Sequence, residues 1–269
     1  AGTINKNLAR ACGEFGMGMG LGSCRQLLWS DEHLADFDVR GLIGPDLPLF
    51  ANLGVAQIEQ ILEKNELPRL HRMLENLRAD GLIIHVNPLQ EALQPEGDHF
   101  KRAPIETIRS FLARTHGKIP VIVKEVGQGF GPASIRALLQ LPLAAIDFAA
   151  AGGTNFAKLE LLRSEPRKQE IFEKYAHVGH GAEEMTGLVN EISAELGERR
   201  LVRQVIISGG IRDFLDGYFL IKKSNLPAVF GQASGFLRHA QGSYDDLREY
   251  VAAQVRGLEL AEAFLRIKN

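Results

Sequence analysis

A run of polar side chains, His85-Val-Asn-Pro-Leu-Gln-Glu91, carries the residue types best suited to chemistry in this chain. The apolar residues just before it are typical of a buried strand, and His85 and Asn87 would share one face of that strand. Pro88 ends this strand, and Gln90 and Glu91 follow just after it. This set suits a polar ligand held with a hard divalent cation, because Mg²⁺ takes oxygen ligands and often bridges phosphates. A structural histidine beside two solvated loop residues is an equally good interpretation of the pattern alone.

Two glycine-rich segments in the last third of the sequence could bind an anion. Ser208-Gly-Gly-Ile-Arg212 follows one strand pattern and leads towards a helix, and the next strand ends in Phe230-Gly-Gln-Ala-Ser234. Glycines expose main-chain N–H groups, and a helix N-terminus adds the positive end of its dipole. The two segments predict a phosphate site, although two ordinary glycine turns would look alike. Gly152-Gly-Thr-Asn155 could add a hydroxyl group to the same cavity or be a plain turn.

Lys124 and an early glycine repeat are two further candidates. Lys124 lies in the strand pattern 121–126, where it could form an ion pair or stabilise negative charge on a ligand. In the strand pattern 16–22 every second residue is glycine, so that one face carries no side chains. Each strand glycine costs roughly 0.5–1 kcal/mol relative to alanine, which suggests that something bulky approaches the backbone. That group is either a ligand or a set of large side chains from neighbouring strands.

Seven short apolar runs alternate with helix-period segments and are predicted to be strands. They span residues 16–22, 47–53, 82–86, 121–126, 145–149, 204–207 and 228–230. Strands that alternate with helices pair in parallel through right-handed crossovers. The expected fold is an α/β (β/α)8 TIM barrel, in which residues at the carboxyl ends of the strands form the site. An open doubly wound sheet is the alternative, disfavoured because no Gly-x-Gly-x-x-Gly turn follows the first strand.

The helix pattern at Ile4, Leu8, Ala11 and Phe15 has no strand in front of it. Because a barrel of this kind usually has eight strands, we expect the first strand to precede residue 1. Residues 1–269 would then form a single, N-terminally incomplete domain. The same count places the two glycine-rich segments of the last third after strands seven and eight, where such barrels bind phosphate.

The composition excludes several classes of function. With 31 basic and 33 acidic residues the net charge is −2, which gives no general attraction for nucleic acid or acidic membrane. No apolar stretch approaches the roughly 20 residues that cross a bilayer, and no signal peptide is recognisable. Cys12 and Cys24 are too few for a disulfide framework. We expect them to be structural thiols of a cytoplasmic protein.

Five segments occur in the order and approximate spacing of type 2 isopentenyl-diphosphate isomerases, and the chain resembles this family from residue 1 to at least residue 240. They are Ala51–Gly54, His85–Glu91, Val-Lys-Glu-Val-Gly at 123–127, Gly152–Asn155 and Ser208–Arg212. The resemblance implies an FMN-dependent (β/α) barrel that interconverts isopentenyl and dimethylallyl diphosphate. It further implies reduced FMN, Mg²⁺, NADPH as the reductant, and a homotetramer or homo-octamer.

The resemblance also implies a role for individual residues. Gln90 would be the catalytic residue and would contact the substrate, and Glu91 would bind Mg²⁺. The substrate pocket would be lined by Ser23, Cys24, Arg25, His85, Asn87 and Gln90. FMN would be held by Ser23, Asn52, Lys124, Thr154, Gly209, Gly210, Ile211, Ala233 and Ser234.

The front of the chain departs from the family pattern. An early Arg-Lys-x-x-His-type segment for the substrate diphosphate and a Met-Thr-Gly-Gly strand under the flavin are both absent from the sequence. One alternative function is an FMN-dependent oxidoreductase of the 2-hydroxy-acid oxidase type. That class needs a catalytic histidine and paired arginines near the end of the barrel, and no matching histidine accompanies Arg212. A flavin-binding protein without catalysis is the other alternative.

Overall fold

The computed structural model describes residues 2–94, 97 and 100–268. Its centre is a sheet of seven parallel strands, each paired with the strand that follows it in the sequence. They are β1 (Met19–Gly20), β2 (Leu49–Gly54), β3 (Gly81–His85), β4 (Val121–Lys124), β5 (Ala145–Asp147), β6 (Val205–Ser208) and β7 (Ala228–Gly231). All seven predicted strands are therefore confirmed, with boundaries that move by at most three residues.

Helices connect the strands and flank them at both ends of the chain. The α-helices are α1 (Gly2–Phe15), α2 (Leu34–Phe37), α3 (Arg40–Ile43), α4 (Val55–Glu63), α5 (Leu67–Leu77), α6 (Pro88–Leu93), α7 (Pro104–Thr115), α8 (Pro132–Leu139), α9 (Phe156–Leu162), α10 (Pro166–Phe172), α11 (Ala182–Leu196), α12 (Phe214–Lys223), α13 (Ser234–Ala240) and α14 (Tyr244–Phe264). Short 3-10 helices span Arg25–Leu28, Glu173–His177 and Gly197–Arg199.

The strand order separates the two architectures that the sequence allows. A doubly wound sheet reverses its strand order and carries helices on both faces. Here the order runs from β1 to β7 without a reversal. Right-handed crossovers between successive neighbours put the helices on one face, and the sheet curls so that its other face lies inside. The chain thus has the curled parallel sheet of an α/β barrel, and the eighth strand stays a prediction.

Alternation along the strands divides the apolar side chains into an outer and an inner set. Leu82 and Ile84 of β3 lie in the main core, together with residues of the surrounding helices. Ile83, between them, packs instead with Ile122 and Ala145 in a separate cluster. Since successive side chains of a strand point to opposite faces, this second cluster is the apolar filling of the curled sheet.

The strand predicted for residues 16–22 is shorter than expected because Gly16 ends α1. Gly16 has a φ of 68°, and the N–H of Met17 donates to the carbonyl oxygen of Cys12 at 2.9 Å. A left-handed residue followed by this hydrogen bond is a common helix ending, and glycine favours it because it has no Cβ. The first glycine of the repeat therefore serves the helix and not the strand.

Both cysteines are buried free thiols, in agreement with the prediction. Burial raises the pKa of Cys12 and of Cys24 to about 11. Both thiols are therefore protonated and weakly nucleophilic at neutral pH. In the part of the chain that the structure describes, no helix is long and apolar enough to span a membrane.

Arg40 of α3 joins several chain segments at the amino ends of the strands. Its side chain is buried and donates to the carboxylate of Asp80 at 2.7 Å. It also donates to the main-chain carbonyl oxygens of Gly44, Leu47 and Arg78. Asp80 in turn accepts the N–H of the first residue of β2 at 2.8 Å. This network holds the beginning of β2 against the beginning of β3.

We expect Arg40→Ala to lower the free energy of unfolding by about 3 kcal/mol, because it leaves several buried acceptors without a donor. Urea denaturation measures the change. Arg256→Ala is the control, since it removes only an exposed ion pair with Glu259 at 3.0 Å and should cost less than about 1 kcal/mol. Equal losses in the two variants would contradict the structural role of Arg40.

Candidate active site

The inner face of the sheet changes from apolar to polar at the carboxyl ends of the strands. The apolar layer contains Phe50, Ile83, Ile122, Ala145 and Ile206. Two residues further along the same strands, and hence on the same face, lie Asn52, His85, Lys124, Asp147 and Ser208. We call these five residues the polar layer. Within it, Lys124 is the register partner of both His85 and Asp147.

Asn52 determines the hydrogen-bonding state of His85. Its Nδ2 donates to the carbonyl oxygen of Leu21 at 3.0 Å, so its Oδ1 faces Nδ1 of His85 at 2.8 Å. Nδ1 must therefore carry the hydrogen, and Nε2 presents a lone pair. Burial, with a smaller contribution from the Lys124 charge, lowers the pKa of His85 to about 4. The imidazole is neutral at pH 7 and can accept a hydrogen bond at Nε2.

The segment after β3 forms a hydrogen-bonded cluster with α9. Nδ2 of Asn87 donates to Oε1 of Gln90 at 3.2 Å and to Oε1 of Glu91 at 2.8 Å. Nε2 of Gln90 donates to the carboxylate of Glu160 at 3.2 Å. Both ends of the Gln90 amide are thus engaged, and its orientation is set by its neighbours.

Glu160 is a component of this cluster that the sequence analysis did not identify. It is 5% exposed and also accepts a hydrogen bond from Gln94 at 2.8 Å. Seventy residues separate it from Gln90, so no local spacing connects the two. Only the contact between α6 and α9 reveals that a buried carboxylate holds this amide.

Two oxygen atoms of the cluster are relevant to metal binding. Oδ1 of Asn87 is buried and has no hydrogen-bond partner among the residues that the structure describes. The Glu91 carboxylate lies next to it, at hydrogen-bonding distance from the Asn87 amide nitrogen. Both are hard oxygen donors of the kind that Mg²⁺ prefers. Among the described residues, no group of three or more His, Cys, Asp or Glu side chains could hold a metal ion. A cation at Glu91 would therefore take most of its ligands from a bound molecule and water.

Lys124 acts on the polar layer through its charge. Its Nζ donates to the main-chain carbonyl oxygen of Glu125 at 2.7 Å, and it forms no ion pair with a carboxylate of the described residues. The Glu125 carboxylate is directed at its own loop, where it accepts the N–H groups of Gly127 and Gly129. The positive charge of Lys124 contributes to the low pKa of His85 and favours the ionised form of Asp147.

Asp147 is the second acid that the sequence analysis missed. The hydroxyl of Ser208 donates to Oδ1 of Asp147 and accepts the N–H of Ala149 at 2.9 Å. Burial raises the pKa of Asp147, while Lys124, the Ser208 hydroxyl and the Ala149 N–H favour its carboxylate form. The alternation of side chains along β5 could have identified Asp147, because it puts Asp147 on the same inner face as Ala145, two residues earlier.

The loop after β6 packs closely on the loop after β5. A Cβ on Gly209 would lie 2.2 Å from the nitrogen of Ala150, and one on Gly153 would lie 2.9 Å from the nitrogen of Gly210. Gly209 and Gly210 have φ values of 85° and 74°, which favour glycine. Within the described part of the chain, the N–H groups of Gly209, Gly210 and Ile211 donate no hydrogen bond. A run of such N–H groups can surround an anion.

The helix after this loop does not add its N-terminus to the anion site, contrary to the expectation from the sequence. Asp213 caps α12, because its carboxylate accepts the N–H groups of Leu215 and Asp216 at 2.9 and 3.1 Å. Arg212 is exposed and pairs with Asp216 at 3.0 Å. The N–H groups that stay available to an anion are therefore those of the loop after β6, and Ala233 and Ser234 follow the neighbouring strand β7.

The glycine face of β1 is open at the level of the polar layer. A Cβ on Gly20 would lie 2.7 Å from Cδ1 of Ile83, so a neighbouring side chain fills that level. A Cβ on Gly22 would meet no heavy atom of the described residues within 4 Å. A neighbouring side chain therefore explains the glycine at position 20, and a ligand beside Gly22 stays a prediction.

The other predicted site residues also follow the carboxyl ends of strands. Ser23 and Arg25 are exposed after β1. Cys24 is buried in the main core, so only its main chain can face a ligand. Thr154 is exposed after β5, and its carbonyl oxygen would lie 2.2 Å from a Cβ on Gly127. The loops after β4 and β5 are therefore also in close contact.

Comparison with known proteins places the chain in a family. No protein-family model matches it. The isopentenyl-diphosphate delta-isomerase of Rickettsia felis is 32% identical over 261 residues, which cover 97% of this chain and 71% of that protein. The enzyme of the same name from Mycolicibacterium vanbaalenii is 38% identical over 220 residues, which cover 80% of this chain and 58% of that protein.

The solved structure of the recombinant flavin-binding domain of baker's yeast flavocytochrome b2 is similar in fold. The TM-score is 0.60 at 12% sequence identity, and the match covers 98% of this chain and 61% of that chain. At this identity the likeness concerns the fold alone. The identity to these two relatives, over 97% and 80% of this chain, shows that the chain belongs to the isopentenyl-diphosphate delta-isomerase family.

Proposed function

We propose that this protein is a type 2, FMN-dependent isomerase that interconverts isopentenyl and dimethylallyl diphosphate. The observation that carries the flavin-dependent type is the run of unpaired N–H groups at Gly209, Gly210 and Ile211 beside the polar layer. Such a run fits a phosphate group, and it lies at the strand end where barrel enzymes bind phosphate. The flavin-binding domain with the same fold supports this choice.

The residues around the polar layer fit the cofactor in two parts. Its phosphate would be held by Gly209, Gly210, Ile211, Ala233 and Ser234, and its ring and ribityl chain by Ser23, Asn52, Lys124 and Thr154. The open face at Gly22 leaves room for a flat ring next to the backbone. Bound FMN, kept reduced by NADPH, would supply the proton exchange with an alkene that no side chain here is acidic enough to perform.

The cluster at α6 would bind and orient the substrate. Glu91 would anchor Mg²⁺ on the diphosphate, which would supply oxygen ligands that the described side chains around Glu91 do not provide. Gln90, held between Asn87 and Glu160, would position the alkene, since an amide does not titrate. His85 would line the pocket as a neutral hydrogen-bond acceptor, together with Asn87, Ser23 to Arg25 and the Gln90 amide.

The geometry favours an isomerase over a 2-hydroxy-acid oxidase. An oxidase of that type needs arginines that hold a carboxylate beside a catalytic base. Arg212 has an 82% exposed side chain and is paired with Asp216, away from the polar layer. The histidine of the layer, His85, lies on β3, in a strand different from the one that leads to Arg212.

We also propose that an eighth strand closes the barrel between β7 and β1. The ring of helices is already continuous there, because α14 packs against α1. Arg248 and Tyr244 of α14 both bind Glu14 of α1 at 2.5 Å. Such a strand would complete the domain on the side of the substrate diphosphate. Assembly as a tetramer or octamer stays a prediction.

Direct assay tests the proposed function. The protein should convert isopentenyl diphosphate to dimethylallyl diphosphate when FMN, NADPH and Mg²⁺ are all present. Omission of FMN should abolish turnover, and addition of EDTA should do the same. Turnover that does not need FMN would exclude the type 2 assignment.

We expect Gly210→Asp to abolish FMN retention, because it places a carboxylate against the N–H groups that would hold the phosphate. Gly197→Asp is the matched control: it adds the same charge at an exposed glycine that also has a positive φ, 53°, and where a Cβ meets no described heavy atom within 4 Å. FMN absorbance of the purified proteins measures retention. Full flavin content in Gly210→Asp would show that the phosphate binds elsewhere.

Lys124→Ala should lower the reduction potential of bound FMN, because it removes a positive charge that stabilises the negative charge acquired on reduction. Titration against a reference dye measures the potential. Lys118→Ala removes an exposed lysine just before the same strand and should leave the potential unchanged. An unaltered potential in a flavin-binding Lys124→Ala protein would place this lysine away from the ring.

Substitutions in the cluster at α6 should separate positioning from metal binding. Gln90→Ala should reduce turnover on the order of 100-fold with little change in FMN binding, because the alkene is no longer positioned. Glu91→Gln should instead weaken the Mg²⁺-dependent binding of the diphosphate, since a hard cation needs an anionic oxygen. Steady-state kinetics at varied Mg²⁺ concentration distinguish the two effects.

The control for these variants is Gln140→Ala, which removes an exposed amide between α8 and the amino end of β5, whereas the cluster follows the carboxyl end of β3. Its kinetic parameters should match those of the wild type. Normal turnover in Gln90→Ala, or an unchanged Mg²⁺ requirement in Glu91→Gln, would overturn the corresponding assignment.

A further inference from the structure

We propose that Asp147 is a positioning residue that connects the phosphate-binding loop to Lys124, so that one carboxylate governs both ends of the cofactor. Through Ser208 it would hold the loop of Gly209 and Gly210, and through its charge it would moderate Lys124. The inference rests on the proposed function, because it concerns bound FMN.

The first connection is a hydrogen-bonded tether. Asp147 lies at the end of β5, and Ser208, which it binds, is the last residue of β6. The Ser208 hydroxyl also accepts the N–H of Ala149 at 2.9 Å, so it joins both strand ends at once. Gly209 and Gly210 follow Ser208 directly. The position of the anion-binding N–H groups therefore depends on this hydroxyl and on the carboxylate that orients it.

Close packing makes the tether effective. The loop of Gly209 and Gly210 packs closely on the loop after β5: a Cβ on Gly209 would lie 2.2 Å from Ala150, and one on Gly210 would lie 3.3 Å from the carbonyl oxygen of Ala151. Displacement of Ser208 would therefore move the whole loop relative to β5. A well-placed donor array binds an anion with little reorganisation, and its loss should weaken binding of the phosphate in particular.

The second connection is electrostatic. Asp147 and Lys124 are register partners on neighbouring strands and point to the same face. Glu125, the residue next to Lys124, uses its carboxylate to accept loop N–H groups. His85, the other neighbour in the polar layer, is neutral and carries no charge that could offset Lys124. Asp147 is thus the acid of the polar layer. Burial raises the pKa of Asp147, while Lys124 and the Ser208 hydroxyl favour its carboxylate form. In that form Asp147 should partly cancel the effect of Lys124 on the flavin ring.

Three substitutions separate the two connections. Ser208→Ala removes the tether and keeps the charge. Asp147→Asn keeps an oxygen that can accept the Ser208 hydrogen bond and removes the charge. Ser208→Thr keeps a hydroxyl at this position and should behave like the wild type. The measurements are the dissociation constants of FMN and of riboflavin, which lacks the phosphate, and the reduction potential of bound FMN.

Ser208→Ala should weaken FMN binding roughly fivefold or more, as expected for a lost charge-assisted hydrogen bond, and should leave riboflavin binding unchanged. Asp147→Asn should bind FMN nearly as well as the wild type but with a raised reduction potential, opposite in sign to Lys124→Ala. Thermal unfolding of each variant checks that the fold is intact. If Asp147→Asn does not fold, the comparison of Ser208→Ala with Ser208→Thr decides the tether.

The outcomes distinguish this inference from the proposed function. If the wild-type protein does not bind FMN, the proposed function fails before Asp147 is tested. If it binds FMN but Ser208→Ala weakens FMN and riboflavin equally, or not at all, the tether is wrong. An unchanged or lowered potential in Asp147→Asn overturns the electrostatic connection, and with it the role proposed for Asp147.

Discussion

The alternation of side chains along the parallel strands is the constraint on which the site depends. In β2 to β6 an apolar inner residue is followed, two positions later, by Asn52, His85, Lys124, Asp147 or Ser208. Shifting any one strand by a single residue would move its polar side chain to the helix-covered face. The apolar layer beneath therefore does more than fill the sheet. It fixes the register that brings five polar groups from distant parts of the chain to one level.

α9 connects the two halves of the proposed site. It begins after the Gly152–Asn155 loop, where Asn155 caps it by accepting the N–H of Lys158 at 2.9 Å. One turn later it presents Glu160 to Gln90. The loop that would contact the cofactor and the acid that orients the substrate amide thus belong to one short rigid element.

Much of this arrangement was predictable from local patterns, and the remainder depends on contacts between distant residues. Strand positions follow from apolar periodicity, and the polar ends of β2, β3, β4 and β6 were recognised from the segments that contain them. Glu160 was missed because its partner lies seventy residues away. The strand prediction includes Gly16 because a glycine that ends a helix and a glycine of a strand repeat look the same in sequence. The sequence pattern around Gly209 and Gly210 likewise gives no sign that Asp213 caps the next helix.

The hydrogen bond between Asn52 and Leu21 makes the pocket tolerant of mutation in one respect. The atom that orients the Asn52 amide, and through it the tautomer of His85, is a main-chain oxygen of the residue after β1. Every amino acid supplies that oxygen, so replacing the side chain of Leu21 cannot reverse the polarity of the imidazole. Evolution can therefore vary the packing around Leu21 while the acceptor that the pocket offers to its ligand stays the same.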